Sequence, residues 1–411
     1  MANITPFKAV RPVRAKAGLV ASRSYEDYSE AELRAQLDYN PYSFLHIINP
    51  GYKFQHKIKG EQRFQMVKNR YLEFREENTF IQDEEPCYYI YKIQARGNTC
   101  CGIIAAASAE DYEKNIIKKH EDTIADREVL FKEYLKIVGF NTEPVLLTYP
   151  DNPVINEVFS ETMKMRAEYE FATYNKEIHY LWKICEPETV EKIRAEFDKM
   201  NCLYIADGHH RSASSYLLAK ESKKENPAHT GKEPYNFFMS YLIAESNLQI
   251  YEFSRLVSDL NGHSKEEFLI LLDEWFRIEN RGFEAYKPSK KHHFNMYLDG
   301  EFYSLYLRKT TYEFSDSLSR LDPYILYQKI LKPILGIEDL RNDKRITYVH
   351  GRNDLIEVKT RIDKGEFAVG FGMLPLSIEE MKNIAKENLT MPPKSTYILP
   401  KLRSGLTIYE F

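Results

Sequence analysis

The chain of 411 residues lacks several features that would place it in a broad class of protein. No stretch approaches the roughly 20 apolar residues that a transmembrane helix requires. Residues 1–18 carry basic side chains but no apolar stretch of the kind found in a secretory signal. There is no long block of lysine or arginine, and the formal net charge is −4. We therefore expect no membrane partner, and nucleic acid is disfavoured as the main partner.

Cysteine is also scarce, with five residues in the whole chain. Their odd number and the absence of a CxxC pair argue against a disulfide framework. Most of them lie in apolar, strand-like runs, which is typical of buried free thiols. We therefore predict reduced cysteines and a cytoplasmic location. The five positions are Cys87, Cys100, Cys101, Cys185 and Cys202.

The periodicity of apolar residues predicts alternating helices and strands, and the length predicts at least two domains. Two β-rich runs, 84–94 and 99–108, flank the turn residues Arg96-Gly97-Asn98 and predict a hairpin. Helices are predicted over 29–39, 60–78, 125–139, 187–200, 209–224 and 264–276. Further strands are predicted over 143–153, 177–185, 202–206, 237–246, 291–308 and 366–374.

The pattern changes near residue 250, where the regular alternation of strands and helices ends. We predict an α+β protein whose first domain spans residues 1–250 and includes an N-terminal extension. Residues 251–411 are predicted to form a second, mixed α+β domain that contributes a tail containing PPKST and PKLRSG.

One segment, "LYIADGHHRSASSYLLAK" at 203–220, gathers several polar side chains between a predicted strand and a predicted helix. The start of a helix attracts anions through its first-turn N–H groups and its dipole. A glycine there lets the backbone approach a ligand closely, and arginine can bind two phosphate oxygens as a fork. The segment therefore predicts a phosphate site. Its residues are Asp207, Gly208, His209, His210 and Arg211.

Each of these patterns also has a plain structural interpretation. The corner at 207–211 is compatible with a capped helix bearing surface histidines. A zinc site is disfavoured because no His/Cys cluster has suitable spacing. The tail offers cations and hydroxyls that could hold an anion, but it lacks the spacing of a P-loop and equally fits a docked strand with solvated lysines. Its candidate contacts are Lys394, Ser395, Thr396, Lys401 and Arg403.

Five segments together resemble a bacterial and archaeal family known as domain of unknown function 1015. They read "NPYSFLHIINP" (40–50), "DYEKNIIKKHEDT" (111–123), "EPVLLTYPD" (143–151), "YIADGHHRSAS" (204–214) and "MPPKSTYILPKLRSGL" (391–406). Members of this family often carry "PPYD" near residue 22, where this chain reads "VASRSYEDYS". That departure leaves room for a different substrate.

The D-G-x-H-R form of 207–211 also resembles the signature of free-serine kinases of the ParB/sulfiredoxin-like superfamily. These enzymes phosphorylate free L-serine with ATP or ADP. The order of an HE pair, a P-(I/V)-x-V strand and DGxHR is the same here, although residues 152–200 would be an insertion. The resemblance implies a nucleotide-binding core with a ParB/sulfiredoxin-like fold within residues 1–250, and O-phosphoserine as the product.

The same resemblance implies roles for individual residues. Glu121 would be the general base and His120 would orient it or the substrate, while "KKHED" alone is typical of an ordinary charged surface segment. Residues 207–211 would hold the nucleotide, with Asp207 meeting Mg²⁺ directly, through water or through the phosphates. The alternative is a non-catalytic, nucleotide-binding regulatory module of ParB-like type. Sulfiredoxin chemistry is excluded because His209 and His210 stand where its cysteine would fall.

Overall fold

The computed structural model describes residues 1–54, 58–95, 97–350 and 354–411. Its strands are β1 Ile4–Thr5, β2 Val10–Pro12, β3 Phe80–Gln82, β4 Tyr88–Ala95, β5 Asn98–Ser108, β6 Ile117–Lys118, β7 Phe140–Asn141, β8 Val145–Tyr149, β9 Tyr169–Ala172, β10 Glu177–Ile184, β11 Leu203–Asp207, β12 Phe237–Ala244, β13 Gln249–Tyr251, β14 Phe253–Val257, β15 Phe276–Gly282, β16 His293–Leu298, β17 Glu301–Leu307, β18 Ile346–His350, β19 Val369–Met373, β20 Tyr397–Leu399 and β21 Tyr409–Glu410.

Each helix predicted from the sequence is present, and the described residues form further helices that the sequence did not indicate. They are α1 Ala17–Val20, α2 Glu30–Tyr39, α3 Leu45–Ile48, α4 Gly60–Glu76, α5 Ala109–Glu113, α6 Ala125–Val138, α7 Pro153–Thr162, α8 Pro187–Asp198, α9 His209–Glu225, α10 Lys265–Asp273, α11 Asp322–Leu326, α12 Asp354–Asp363 and α13 Ile378–Lys386. Among the described residues, none of these helices is long and apolar enough to cross a bilayer.

The chain divides into two compact units, each of which is discontinuous in sequence. The first unit contains residues 1–119, 123–248 and 400–411, and the second contains residues 120–122 and 249–399. The layout of two domains with a single boundary after residue 250 stays a prediction.

A mixed sheet forms the centre of the first unit. Its strands run in the order β6-β11-β8-β12-β5-β4-β10-β9, and β1 also pairs with β5. The pairs β6–β11 and β8–β12 are parallel, whereas the other neighbours are antiparallel. The expected hairpin is confirmed, because β4 and β5 pair with Tyr89 opposite Ile104. Arg96, part of the predicted turn, lies outside the described residues.

Apolar side chains from one face of this sheet form a buried cluster with side chains of helices α7 and α8, as the alternation of strands and helices predicts. A second cluster of buried apolar side chains includes residues of helix α4. The buried side chains of α4 follow the predicted helical period and are Phe64, Val67, Tyr71 and Phe74. At the far end of α6, Gly139 adopts a left-handed conformation and closes the helix as predicted.

The prediction of free cysteines is wrong for one pair. Cys87 and Cys185 form a disulfide. They stand next to Tyr88 and Ile184, which are paired across the antiparallel strands β4 and β10, so the sheet register brings them together. The two residues are 98 positions apart in sequence, and spacing alone does not reveal the pairing. Cys100, Cys101 and Cys202 are free thiols.

The second unit is built on an antiparallel sheet with the strand order β15-β17-β16-β19-β14-β18. Apolar side chains from this sheet, from α10 and from the segment around α11 form its main core. A separate two-stranded ribbon pairs β13 with β20, with Gln249 opposite Leu399. The predicted α+β class is therefore confirmed, with a mixed sheet in one unit and an antiparallel sheet in the other.

Candidate functional site

The corner at 207–211 joins the end of strand β11 to the start of helix α9. Gly208 has a φ of +99°, which residues with a side chain rarely adopt. The guanidinium of Arg211 folds back over Gly208, and a Cβ atom added there would stand 3.0 Å from Arg211 Nε. The first helical hydrogen bond runs from Ser212 N to the Gly208 carbonyl. The glycine therefore provides both the turn and the room for the arginine.

Two cationic side chains meet one carboxylate oxygen at this corner. Lys401 Nζ donates to Asp207 Oδ2 over 2.9 Å, and Arg211 Nη2 lies 3.7 Å from the same oxygen. The side chains of Asp207, Lys401 and Arg211 each keep about a third or more of their surface exposed (40, 35 and 34%). Solvent and small solutes therefore reach this cluster.

The other side of Arg211 contacts the segment that precedes strand β8. Arg211 Nη1 donates to the Pro144 carbonyl over 2.8 Å and lies 3.6 Å from Glu143 Oε2. Glu143 Oε1 in turn accepts a hydrogen bond from Ser404 Oγ. The guanidinium is thus positioned by a backbone carbonyl and by two carboxylates.

The electrostatics of the corner fix two protonation states. Desolvation acts to raise the pKa of Asp207, but the charges of Lys401 and Arg211 outweigh it and lower the pKa to about 2. Burial lowers the pKa of His209 to about 4 in spite of the nearby Asp207. At neutral pH Asp207 is therefore a carboxylate and His209 is a neutral imidazole.

The two histidines of the corner have different surroundings. His209 is buried, so its ring belongs to the interior of the unit rather than to the exposed cluster. His210 is half-buried, and its ring centroid lies 6.5 Å from that of Phe131 on helix α6. Of the five corner residues predicted from the sequence, Asp207 and Arg211 present charged groups to solvent.

The predicted tail contacts divide between the two units. Lys401 and Arg403 belong to the first, where Arg403 Nη2 donates to Glu177 Oε2 over 2.5 Å. The arginine side chain of that pair is almost fully buried. Hydrogen bonding from His179, together with Arg403, lowers the pKa of Glu177 to about 2 despite desolvation.

The PPKST part of the tail belongs to the second unit. Lys394 is exposed and has a positive φ, and its carbonyl accepts a hydrogen bond from Arg255 Nη2. Ser395 is buried and donates to the Pro392 carbonyl, while Thr396 is half-buried. These contacts form a turn held by the unit's own side chains.

The predicted catalytic pair also groups with the second unit. His120 is buried, and its carbonyl accepts a hydrogen bond from Met391 N. Glu121 is half-buried, and its neighbour Asp122 accepts from Thr390 Oγ1 over 3.0 Å. The roles assigned to His120 and Glu121 stay predictions.

Sequence reasoning missed two features of the corner, namely the contacts of Glu143 and the ring of Phe131. Glu143 lies within the quoted "EPVLLTYPD", so the signal was present, but no pattern linked it to Arg211. Phe131 follows Val129 and Leu130 on α6, and this run of exposed apolar residues is visible only once burial is known.

A magnesium ion fits this corner only together with water and the phosphates of a bound substrate. Across the described ranges, no three or more His, Cys, Asp or Glu side chains gather to hold a metal. Mg²⁺ commonly takes one or two carboxylates and completes its shell with water and substrate phosphates. The ionised Asp207 suits that mode of binding.

These features describe an α+β protein with a half-exposed cluster of charges at a strand-to-helix corner. The chain belongs to the family described as "Protein of unknown function (DUF1015)", whose model matches residues 4–324. No curated protein sequence matches it. The family membership predicted from the five sequence segments is confirmed.

The solved structures found to resemble this chain are only distantly similar to it. A free serine kinase in complex with AMP is 12% identical, with 77% of this chain and 94% of that chain covered and a TM-score of 0.34. SbnI with a C-terminal truncation from Staphylococcus aureus is 11% identical (74% and 87% covered, TM-score 0.39). A conserved hypothetical protein from Pyrococcus furiosus is 13% identical (74% and 94%, TM-score 0.36). TM-scores this low carry no argument about activity.

Proposed function

We propose that the corner at 207–211 binds the phosphates of a nucleotide and that the protein transfers a phosphoryl group to a small hydroxylated metabolite. The observation that carries the proposal is that Lys401 and Arg211 both approach Asp207 at the start of α9, next to Gly208, whose missing side chain leaves room for the guanidinium. Two cations and a helix start are the groups that phosphate oxygens select. The ParB/sulfiredoxin-like classification is part of this proposal.

The carboxylate at the centre of this cluster argues for a metal-bound phosphate. Asp207 is ionised at neutral pH and by itself repels a phosphate group. Mg²⁺ shared between Asp207 and the phosphates would turn that repulsion into attraction, and Lys401 and Arg211 would then contact the remaining phosphate oxygens.

In the proposed reaction, ATP or ADP donates its terminal phosphoryl group to the hydroxyl of L-serine or a similar metabolite. The bond from the terminal phosphorus to the bridging oxygen breaks, and a bond from the serine oxygen to phosphorus forms. The hydroxyl proton passes to the carboxylate of Glu121, a role that rests on the sequence resemblance. The products are O-phosphoserine and the shortened nucleotide.

Phosphorus NMR of the protein with Mg²⁺, L-serine and either ATP or ADP tests this proposal. We expect an O-phosphoserine signal whose rate of appearance falls about 10²- to 10⁴-fold in Glu121→Gln, the typical loss on removing a general base. Asp122→Asn, which neutralises the neighbouring carboxylate, is the matched control and should leave the rate nearly unchanged.

Two results would contradict the proposal in different ways. Nucleotide binding without any product would favour a non-catalytic regulatory module. Absence of nucleotide binding to the unmodified protein would remove the corner as a phosphate site.

A further inference from the structure

Helix α6 exposes three consecutive apolar side chains. Val129, Leu130 and Phe131 keep 51, 51 and 41% of their surface exposed. Single exposed apolar residues are common in soluble proteins, but adjoining ones on an ordered helix often mark a contact surface. The far half of the same helix buries Leu135 and Val138, so α6 is not a loosely attached element.

Phe131 is the member of this group that lies next to the phosphate corner. Its ring meets the ring of His210 with the centroids 6.5 Å apart and the planes inclined by 64°. His210 is in the first turn of α9, directly before Arg211. A flat group resting on Phe131 would therefore sit beside the first turn of α9.

We propose that Phe131 is a stacking platform for the base of the nucleotide whose phosphates bind at 207–211. This inference rests on the proposed function. A nucleotide joins a charged phosphate chain to a flat aromatic ring. Here the exposed ring of Phe131 contacts His210, the residue before Arg211, and Arg211 belongs to the charged cluster with Asp207 and Lys401. Because every base has a π-face, stacking on Phe131 implies little preference among bases.

Calorimetric binding of ADP and of inorganic pyrophosphate, both with Mg²⁺, separates the base from the phosphates. We expect Phe131→Ala to weaken ADP binding about 5- to 100-fold, as is typical when a stacking ring is removed, and to leave pyrophosphate binding unchanged. Phe131→Trp should keep the affinity for ADP. Leu130→Ala removes a similarly exposed apolar side chain from the same helix and should change neither affinity.

The possible failures are distinguishable. If neither ADP nor pyrophosphate binds the unmodified protein, the proposed function fails and this inference fails with it. If both bind and Phe131→Ala changes neither affinity, or lowers both equally, the base does not rest on Phe131 while the phosphate site stands. A change of oligomeric state in Phe131→Ala with unchanged ADP affinity would instead assign the exposed patch to a second copy of the chain.

Discussion

At the scale of single residues, Gly208 does two separate things for the corner. It takes a φ of +99°, and its missing side chain leaves space for the guanidinium of Arg211. The first role costs a residue with a side chain about 1–2 kcal/mol of conformational free energy. The second determines where Arg211 sits relative to Asp207 and the helix start. Stability and the proposed phosphate binding therefore both depend on the absence of a side chain at Gly208, but for different reasons.

Gly208→Ala should lower the free energy of unfolding by about 1–2 kcal/mol and also weaken pyrophosphate binding. We expect roughly 10- to 100-fold weaker binding, the value of one or two charge-assisted hydrogen bonds, because the new methyl group displaces Arg211. Urea unfolding and calorimetry measure the two effects.

Gly300 provides the matched control for this substitution. It also has a positive φ, +79°, but a Cβ added there meets nothing within 4 Å. Gly300→Ala should therefore cost similar stability and leave pyrophosphate binding unchanged. Equal binding by Gly208→Ala and the unmodified protein would show that Arg211 does not contact phosphate.

At the scale of elements, the segment 400–411 carries two cations with different tasks. Lys401 is partly exposed and reaches the carboxylate of Asp207, whereas Arg403 is almost fully buried against Glu177. An exposed ion pair contributes little to stability, while breaking a buried pair leaves an uncompensated charge in the interior. Lys401 thus contributes to the charged corner, and Arg403 holds the segment 400–411 against Glu177.

Lys401→Met and Arg403→Met should separate these tasks. Lys401→Met should cost under about 1 kcal/mol of stability and weaken pyrophosphate binding roughly 10- to 100-fold. Arg403→Met should cost roughly 2–3 kcal/mol, less than for a fully buried pair because Glu177 keeps 31% of its side chain exposed, and should leave the affinity nearly unchanged. Thermal unfolding measures the stability of both variants, and calorimetry measures their affinity for pyrophosphate. Equal losses of stability and of affinity in the two variants would contradict the separate roles of Lys401 and Arg403.

The sequence predicted the longer helices and the central strands of the first unit because their signals are local. The apolar period of α4, the left-handed glycine after α6 and the glycine corner before α9 each lie within a few residues. Contacts between distant segments left no comparable signal. The disulfide of Cys87 and Cys185 depends on the register of two strands, and the contact of Glu143 with Arg211 depends on the neighbouring strands β8 and β11.

At the scale of the whole molecule, the first unit is completed by a segment that follows the second unit in sequence. Residues 400–411 bury Leu406, Ile408 and Tyr409, and β21 pairs with β7. Burying large apolar side chains contributes about 1.5–3 kcal/mol each, so the three together contribute roughly 4.5–9 kcal/mol. That sum is comparable to the whole stability of an ordinary domain.

A protein ending at residue 250 should therefore fail to fold stably, although that is where the sequence pattern changes. Joining Leu248 to Pro400 through a short glycine-serine linker in place of residues 249–399 should restore folding. The linker has little to span, because Gln249 and Leu399 are paired across an antiparallel ribbon, and such Cα atoms lie about 5 Å apart. Circular dichroism and thermal unfolding compare the two proteins, and equal stability would show that 400–411 is dispensable.

Because Asp207, Arg211 and Lys401 all belong to the first unit, the joined protein should also bind pyrophosphate. A joined protein that folds but does not bind would contradict a phosphate site made by that unit alone.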